Sequence, residues 1–378
     1  MAEPRYQSAR EVAPKIRAHF AQLPTPAGEP TDGPPPIVPS LDDIEAVIDA
    51  AFWASLRREE NYLPRISLVL MPPLPSCRPL LFATPLPLRP VSLVRVAPAV
   101  ERPGIHLGVW HVDGALRVWG TTRVVPASCL VLEVAAPGLL VVKHHRGAGG
   151  KYINVAVLEA DRIKMIDDTA RARPDCPSLV RSLLGFDQAA EWNAHPGVMV
   201  ELAVSMRAHG RGGAMLMVPS GSSTWRESVV QPIGYAVSPV FTALSELVAR
   251  SAAERNTREW QDELEDTVEA VAGLTAVDGA ALITDRYELL AFGVKIARRE
   301  GCPLVEQAAV TEPIEGGEAA VVHPSRLGGT RHLSAAQFVH DQRDAVALVA
   351  SQDGRFTIFC WSDAEGMVQA HRVETLLL

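Results

Sequence analysis

Two short stretches carry the residue types that could do chemistry. The first is Gly328-Gly329-Thr330-Arg331-His332-Leu333-Ser334-Ala335-Ala336. The glycines let a backbone approach a ligand closely. The hydroxyl of Thr330 and the guanidinium of Arg331 suit phosphate oxygens, because the fork can donate two parallel charge-assisted bonds. The second stretch, Val277-Asp278-Gly279-Ala280, lies about fifty residues upstream. Asp278 can hold a metal or accept a proton, and Gly279 and Ala280 leave room beside the chain for a flat base. Alone, the first stretch also reads as an ordinary helix entrance, and an Asp-Gly step as a turn.

In this order and with these flanks, the pair resembles the diadenylate cyclases. That family has Asp-Gly-Ala at the head of a strand and Gly-Thr-Arg-His-Arg before a helix. Here Asp278-Gly279-Ala280 runs into Ala281-Leu282-Ile283-Thr284-Asp285 and then Leu289-Leu290-Ala291-Phe292-Gly293-Val294. After His332 come an Ala-Ala helix, the apolar run Ala345 to Val349, and the turn Ser351-Gln352-Asp353-Gly354. The resemblance covers roughly residues 196–378.

The resemblance implies a reaction: two ATP molecules condense to cyclic di-AMP and two pyrophosphates. It implies that Asp278, Arg331 and His332 are catalytic. Gly279, Ala280, Gly329, Thr330, Arg331, His332, Ser334 and Ser351 would bind the nucleotide. Asp278 would hold a divalent metal, Mn2+ or Mg2+. An aspartate, with an ordinary pKa near 3.9, is a poor base for a sugar hydroxyl, and a metal would supply the activation. Each site holds one ATP, so two domains must face each other in a homodimer or larger homo-oligomer.

Three departures from the family pattern stand out. Leu333 replaces the second arginine, with Ser334 as its nearest polar substitute. Val277 stands where a metal-linked histidine is common. Gln352-Asp353 stands where two glutamates are common. They leave open a second reading, a catalytically weak or inactive nucleotide-binding signalling protein with a cyclase-like domain. A related nucleotidyltransferase with another product is a third.

The chain of 378 residues suffices for two domains with buried cores. Its 47% hydrophobic and 21% charged content is that of a globular protein. A net charge of −8 without a basic block excludes a general nucleic-acid binder. Cys77, Cys129, Cys176, Cys302 and Cys360 are scattered, which suits reduced thiols rather than a disulfide frame or zinc site. No charged-then-apolar leader opens the chain, and no apolar run reaches bilayer length. The expectation is a soluble, cytoplasmic protein with no membrane partner.

The fold class expected is α/β (α+β). A C-terminal cyclase domain with a central mixed sheet flanked by helices follows a strand-rich mixed α+β domain. The boundaries expected are 1–39 for an N-terminal helix and Pro-rich linker, 40–190 for a sensor domain of unknown ligand, and 196–378 for the cyclase domain. Helices are read at 7–22, from Ser40 with Asp43 as cap partner, at 178–186, at 198–208, from Ser238-Pro239, and from Asn256 through Val271. Strands are read at 66–71, 106–112 and 116–119 about an Asp113-Gly114 turn, 129–134, 139–142, 152–158, 214–218, 280–283, 289–296, 346–350 and 355–361.

His144 to Lys151 reads as a basic glycine loop, either an anion clasp or a solvated hairpin loop. Gly108-Val109-Trp110 and Val118-Trp119-Gly120 resemble the probable sensor domain DACNV, which precedes some cyclase domains. Trp110 and Trp119 fit core positions or a ligand pocket. Residues 298–326 read as an irregular excursion, and Leu376 to Leu378 as an exposed apolar tail.

Overall fold

In the computed structural model, residues 5–23, 38–58, 63–145, 152–167, 196–255 and 257–378 are described. Two compact units form, Met1–Ile166 and Asp167–Leu377. The expected helix at 178–186 and the loop at 146–151 lie outside the described residues.

The first unit opens with α1 (Gln7–Gln22) and α2 (Leu41–Ser55). The Ser40 hydroxyl accepts from the Asp43 backbone N–H at 3.1 Å, so the cap forms as its residue types dictate. Eight strands follow in one sheet: β1 (Ile66–Leu70), β2 (Leu80–Pro87), β3 (His106–Val112), β4 (Ala115–Thr122), β5 (Leu130–Ala136), β6 (Leu139–His145), β7 (Tyr152–Glu159) and β8 (Arg162–Met165). Helix α3 (Pro90–Val96) lies between β2 and β3. The spatial order is β2-β4-β3-β1-β5-β6-β7-β8, and only β1 with β3 is parallel.

The three helices bury Ile16, Ile44, Ile48 and Leu93 against alternate residues such as Leu68, Leu107, Leu132 and Leu140. Helix α1 therefore belongs to this unit's core rather than standing apart with a linker. Val69, Met71, Trp119 and Val131 form a smaller cluster on the opposite face, as strand alternation requires. Asp113 and Gly114 have φ of 52° and 78°, the paired positive angles of a tight hairpin turn. Trp119 is a core residue, and its Nε1 donates to the Met71 carbonyl at 2.8 Å. Its indole lies over Gly108, where a Cβ would meet the ring at 1.9 Å. That packing explains a glycine beside these aromatics. His144 and His145 end β6 rather than sitting in a loop. His144 reaches His19 at 3.1 Å and His145 packs on Tyr152, so the two diverge.

The second unit begins with α4 (Pro196–Ala208) and β9 (Gly213–Val218). Then come β10 (Tyr235–Phe241), α5 (Ala243–Ala249), α6 (Arg258–Leu274), β11 (Ala280–Thr284) and β12 (Leu289–Val294). The chain closes with β13 (Ala308–Thr311), β14 (Ala320–Val322), α7 (Thr330–Asp341), β15 (Val346–Ala350), β16 (Phe356–Ser362) and β17 (Met367–Arg372). The mixed sheet runs β10-β12-β11-β9-β15-β16-β17-β13-β14. Strand β9 is parallel to β11 and antiparallel to β15. Every residue of β9 and β11 is buried, so both sheet faces are covered. Ala335, Ala336, Phe338 and Val339 of α7 pack on Leu216, Leu282 and Phe359. On the other side α4 meets β15 and α6 meets β12. The fold is α+β with two mixed sheets.

Several elements differ from the sequence reading. Ser238-Pro239 lies inside β10 and opens no helix; α5 starts at Ala243. Strand β10 is at the sheet edge and its register shifts between Ala236 and Phe241, which is where a residue without an N–H is tolerated. The α6 cap is Thr257, whose hydroxyl accepts from the Trp260 N–H at 3.3 Å. The excursion 298–326 contains β13 and β14, which extend the sheet beside β17. The tail is docked: Leu377 is buried and its carbonyl accepts from Arg207 Nη1 at 3.1 Å.

Phe338 is fully buried between α7 and the sheet. Phe338→Ala is expected to cost about 3–5 kcal/mol and lower the denaturant midpoint of the second unit. An unchanged midpoint in equilibrium unfolding would contradict this packing.

Candidate functional site

The two chemically suggestive stretches meet because of strand direction. Gly212 leads into β9, Asp278 and Gly279 lead into β11, Lys295 follows β12, and Ser351 follows β15. Parallel β9 and β11 start at the same sheet edge, and antiparallel β12 and β15 end there. The N-terminus of α7 opens at this edge too. Between them lies a cavity of about 790 Å³. Asp278, Gly279, Ala280, Gly329, Thr330, Arg331, His332, Ser334 and Ser351 all border it.

Gly279 has φ of 124°, and a Cβ there would lie 2.4 Å from the Gly293 carbonyl carbon. Only glycine permits this crossing of β11 and β12. It sets Asp278 beside the end of β12, where Lys295 Nζ lies 2.7 Å from Asp278 Oδ2. The hydrogen bond and charge of Lys295, helped by Arg331, hold the Asp278 carboxyl below the usual carboxylate range. Asp278 is therefore a carboxylate that attracts cations and donors, not a proton acceptor.

Helix α7 has Gly329 as its cap and no side-chain cap bond. Its first N–H groups and its dipole face the cavity, an arrangement that suits phosphate. Arg331, at the second helical position, has no carboxylate partner among the described residues. Its Nη1 lies over Gly212, where a Cβ would come within 3.1 Å. Glycine at 212 thus leaves room for the guanidinium. The cavity's other cations are engaged, Lys295 with Asp278 and Arg355 with Asp353 at 3.2 Å.

His332 is 3% exposed, and its ring rests on Gly328, whose Cβ would meet Nδ1 at 2.4 Å. Burial pushes the imidazole below its ordinary pKa, so the neutral form prevails at pH 7. Its Nε2 is buried with no hydrogen-bond partner among the described residues. Ser351 donates its hydroxyl hydrogen to Asp353, which leaves acceptor lone pairs for a ligand. Leu333 borders a separate cavity of about 350 Å³ with Leu304, Val305 and Ile296, not the main one. Ser334 borders both.

Two carboxylates border the cavity; Asp353 is held by Ser351 and Arg355, which leaves Asp278 for the implied metal. Among the described residues no three His, Cys, Asp or Glu side chains gather into a metal site. A single exposed carboxylate fits a hard cation that takes its remaining ligands from phosphate oxygens and water. Residue type alone does not single out Lys295. The signal for it was the strand pairing across Asp285-Arg286, which brings the residues after Val294 beside those before Ala280.

The family described as probable sensor domain DACNV matches residues 34–123, within the first unit from α2 through β4. No curated protein matches the chain. The segment that matches this probable sensor domain precedes the cavity-bearing unit in the chain. No helix among the described residues is long and apolar enough to cross a membrane.

Two outcomes follow from these contacts. Gly279→Ala should cost about 2–4 kcal/mol through steric overlap and a positive φ, read as a lowered Tm of the second unit. For His332, the unfolded imidazole protonates first as pH falls below about 6.5. Stability is then lost on going acid and is fully present above that value. His332→Phe should leave stability at pH 8 within about 1 kcal/mol of wild type and flatten the acid-side loss. Unfolding curves at pH 5.5 and 8 with identical acid sensitivity in both proteins would contradict a buried neutral imidazole.

Proposed function

We propose that the chain is a diadenylate cyclase whose sensor domain tunes synthesis. The observation that carries this reading is the single cavity shared by Asp278-Gly279-Ala280 and Gly329-Thr330-Arg331-His332. The DACNV match supports it from the other unit, since that domain type accompanies such cyclases.

The triphosphate would lie against the α7 N-terminus and the Arg331 guanidinium. The base would sit by the backbone of Gly279 and Ala280, where no side chain intrudes. Asp278 would orient the ribose 3′-hydroxyl as a hydrogen-bond acceptor. In each half-reaction a 3′-oxygen bonds to the α-phosphorus of the other ATP, the bond to pyrophosphate breaks, and the hydroxyl proton leaves to solvent. The protein's part is mainly placement and charge neutralisation. A bound Mn2+ or Mg2+, held by Asp278 and the phosphates, would acidify the hydroxyl and neutralise the leaving group. Neutral His332 would form part of the cavity wall with its buried ring, adding no charge there. Ser334 and Ser351 would complete the polar rim. Two copies must meet face to face for the second ATP, so the active form is a homo-oligomer.

Two features favour the second reading, a nucleotide-binding signalling domain without turnover. Lys295 occupies Asp278, and Leu333 turns away from the main cavity. Purified protein incubated with ATP and Mn2+ or Mg2+ separates the two by mass spectrometry. The cyclase reading expects cyclic di-AMP, reduced about a hundredfold or more in Asp278→Asn. Nucleotide binding with no product supports the second reading, and neither binding nor product sinks both.

A further inference from the structure

Lys295 is the cation closest to the carboxylate on which the site turns. Its Nζ stands 2.7 Å from Asp278 Oδ2, the place expected for a divalent ion. The backbone on each side is fixed. The Lys295 carbonyl accepts from the Val230 N–H at 2.8 Å, and Ile296 bridges to Val229. The side chain is free to move, being 50% exposed on a flexible four-carbon stem. An ion pair this open contributes little to folding. Its placement in a cavity with Arg331 and a helix N-terminus is the feature to explain.

We propose that Lys295 is a triphosphate ligand and the cavity's resident counter-cation, so that this chain binds nucleoside triphosphate without divalent metal. The inference rests on the reading of the cavity as a nucleotide site. Three cations and a helix end border it: Arg331 beside the α7 N–H groups, Lys295 on Asp278, and Arg355 held by Asp353. A tetra-anionic triphosphate entering between them outcompetes a single carboxylate for the ammonium. Lys295 turns from Asp278 to a phosphate oxygen, and Asp278 is released to take a ribose hydroxyl or a metal ion. A metal ion that binds Asp278 meets the same lysine as a competitor. Metal is thereby required after binding, not for it. No covalent step is involved.

The test is calorimetric titration of the full-length protein with ATP and, separately, adenosine, in EDTA and in Mn2+. The variants are Lys295→Met and Lys295→Arg. Wild type is expected to bind ATP in EDTA. Lys295→Met is expected to lose about tenfold to a hundredfold of that affinity, and much less in Mn2+, where the metal neutralises the phosphates. Lys295→Arg should recover most of the loss, and adenosine binding should not change. Thermal melts should show both variants folded. The proposal is overturned if Lys295→Met binds ATP in EDTA as wild type does, or if wild type binds ATP only with metal; in either case nucleotide binding itself survives. If wild type binds ATP under neither condition, the nucleotide reading of the cavity fails first and takes this proposal with it.

Discussion

The direction of four adjacent strands is the constraint from which the site follows. Strand β9 lies between a parallel neighbour, β11, and an antiparallel one, β15, while β12 returns antiparallel beside β11. That order puts two strand starts and two strand ends at a single edge. Gly212, Asp278, Lys295 and Ser351, far apart along the chain, become neighbours, with the side chains of Asp278 and Lys295 left open to solvent. Helix α7 is then pinned by Phe338 and the small residues Ala335 and Ala336, which let it sit close to the sheet. Its N-terminus has nowhere to point but at the same edge. Core packing and site geometry are therefore one problem, solved on opposite ends of the same helix.

The C-terminal end of α7 shows what holding that orientation takes. Asp341 is buried and accepts from the Arg299 N–H at 2.9 Å, from Gln337 Nε2 at 2.8 Å and from His340 Nδ1 at 3.0 Å. Gln337 Oε1 in turn accepts from the Val305 N–H at 2.9 Å. A buried carboxylate is tolerable only with its lone pairs filled. The filling ties the helix to residues 299–305, the segment the sequence presented as irregular. That segment is a clamp as well as a connection.

Much of this was legible in the residues. Helices α1, α2 and α6, the Asp113-Gly114 hairpin and strands β9, β11 and β15 follow from periodicity, turn types and continuous apolar runs. Strand β10 was not, because Ser-Pro is also how helices begin, and only an edge position lets proline stay in a strand. Strands β13 and β14 have four and three residues and lie at the outer end of the sheet, too short for any period to show. Strand β17 carries Gln369, His371 and Arg372 and gives no clean alternation. At the site, the glycines and charged residues announced themselves by type. Lys295 did not, since a lone lysine after a strand usually marks solvent. The β11–β12 pairing, with its close Gly279–Gly293 crossing, sets it beside a carboxylate.

Exposure decides how such a site has to work. Asp278 is 94% exposed at its side chain, and Lys295 half exposed. In water at that exposure, charge–charge attraction is weak, so the Asp278–Lys295 ion pair is not strong in the free protein. Electrostatic positioning becomes powerful only when water is excluded. Buried His332 and the half-buried Gly279 backbone supply one wall, and the open side must be closed by something else. A reaction that joins two nucleotides held by two copies closes it by construction, because each copy with its ligand covers the other's exposed half. Under the proposed cyclase reading, the openness of the cavity is that of a half-site, and a sensor domain would need only to govern how two such halves meet.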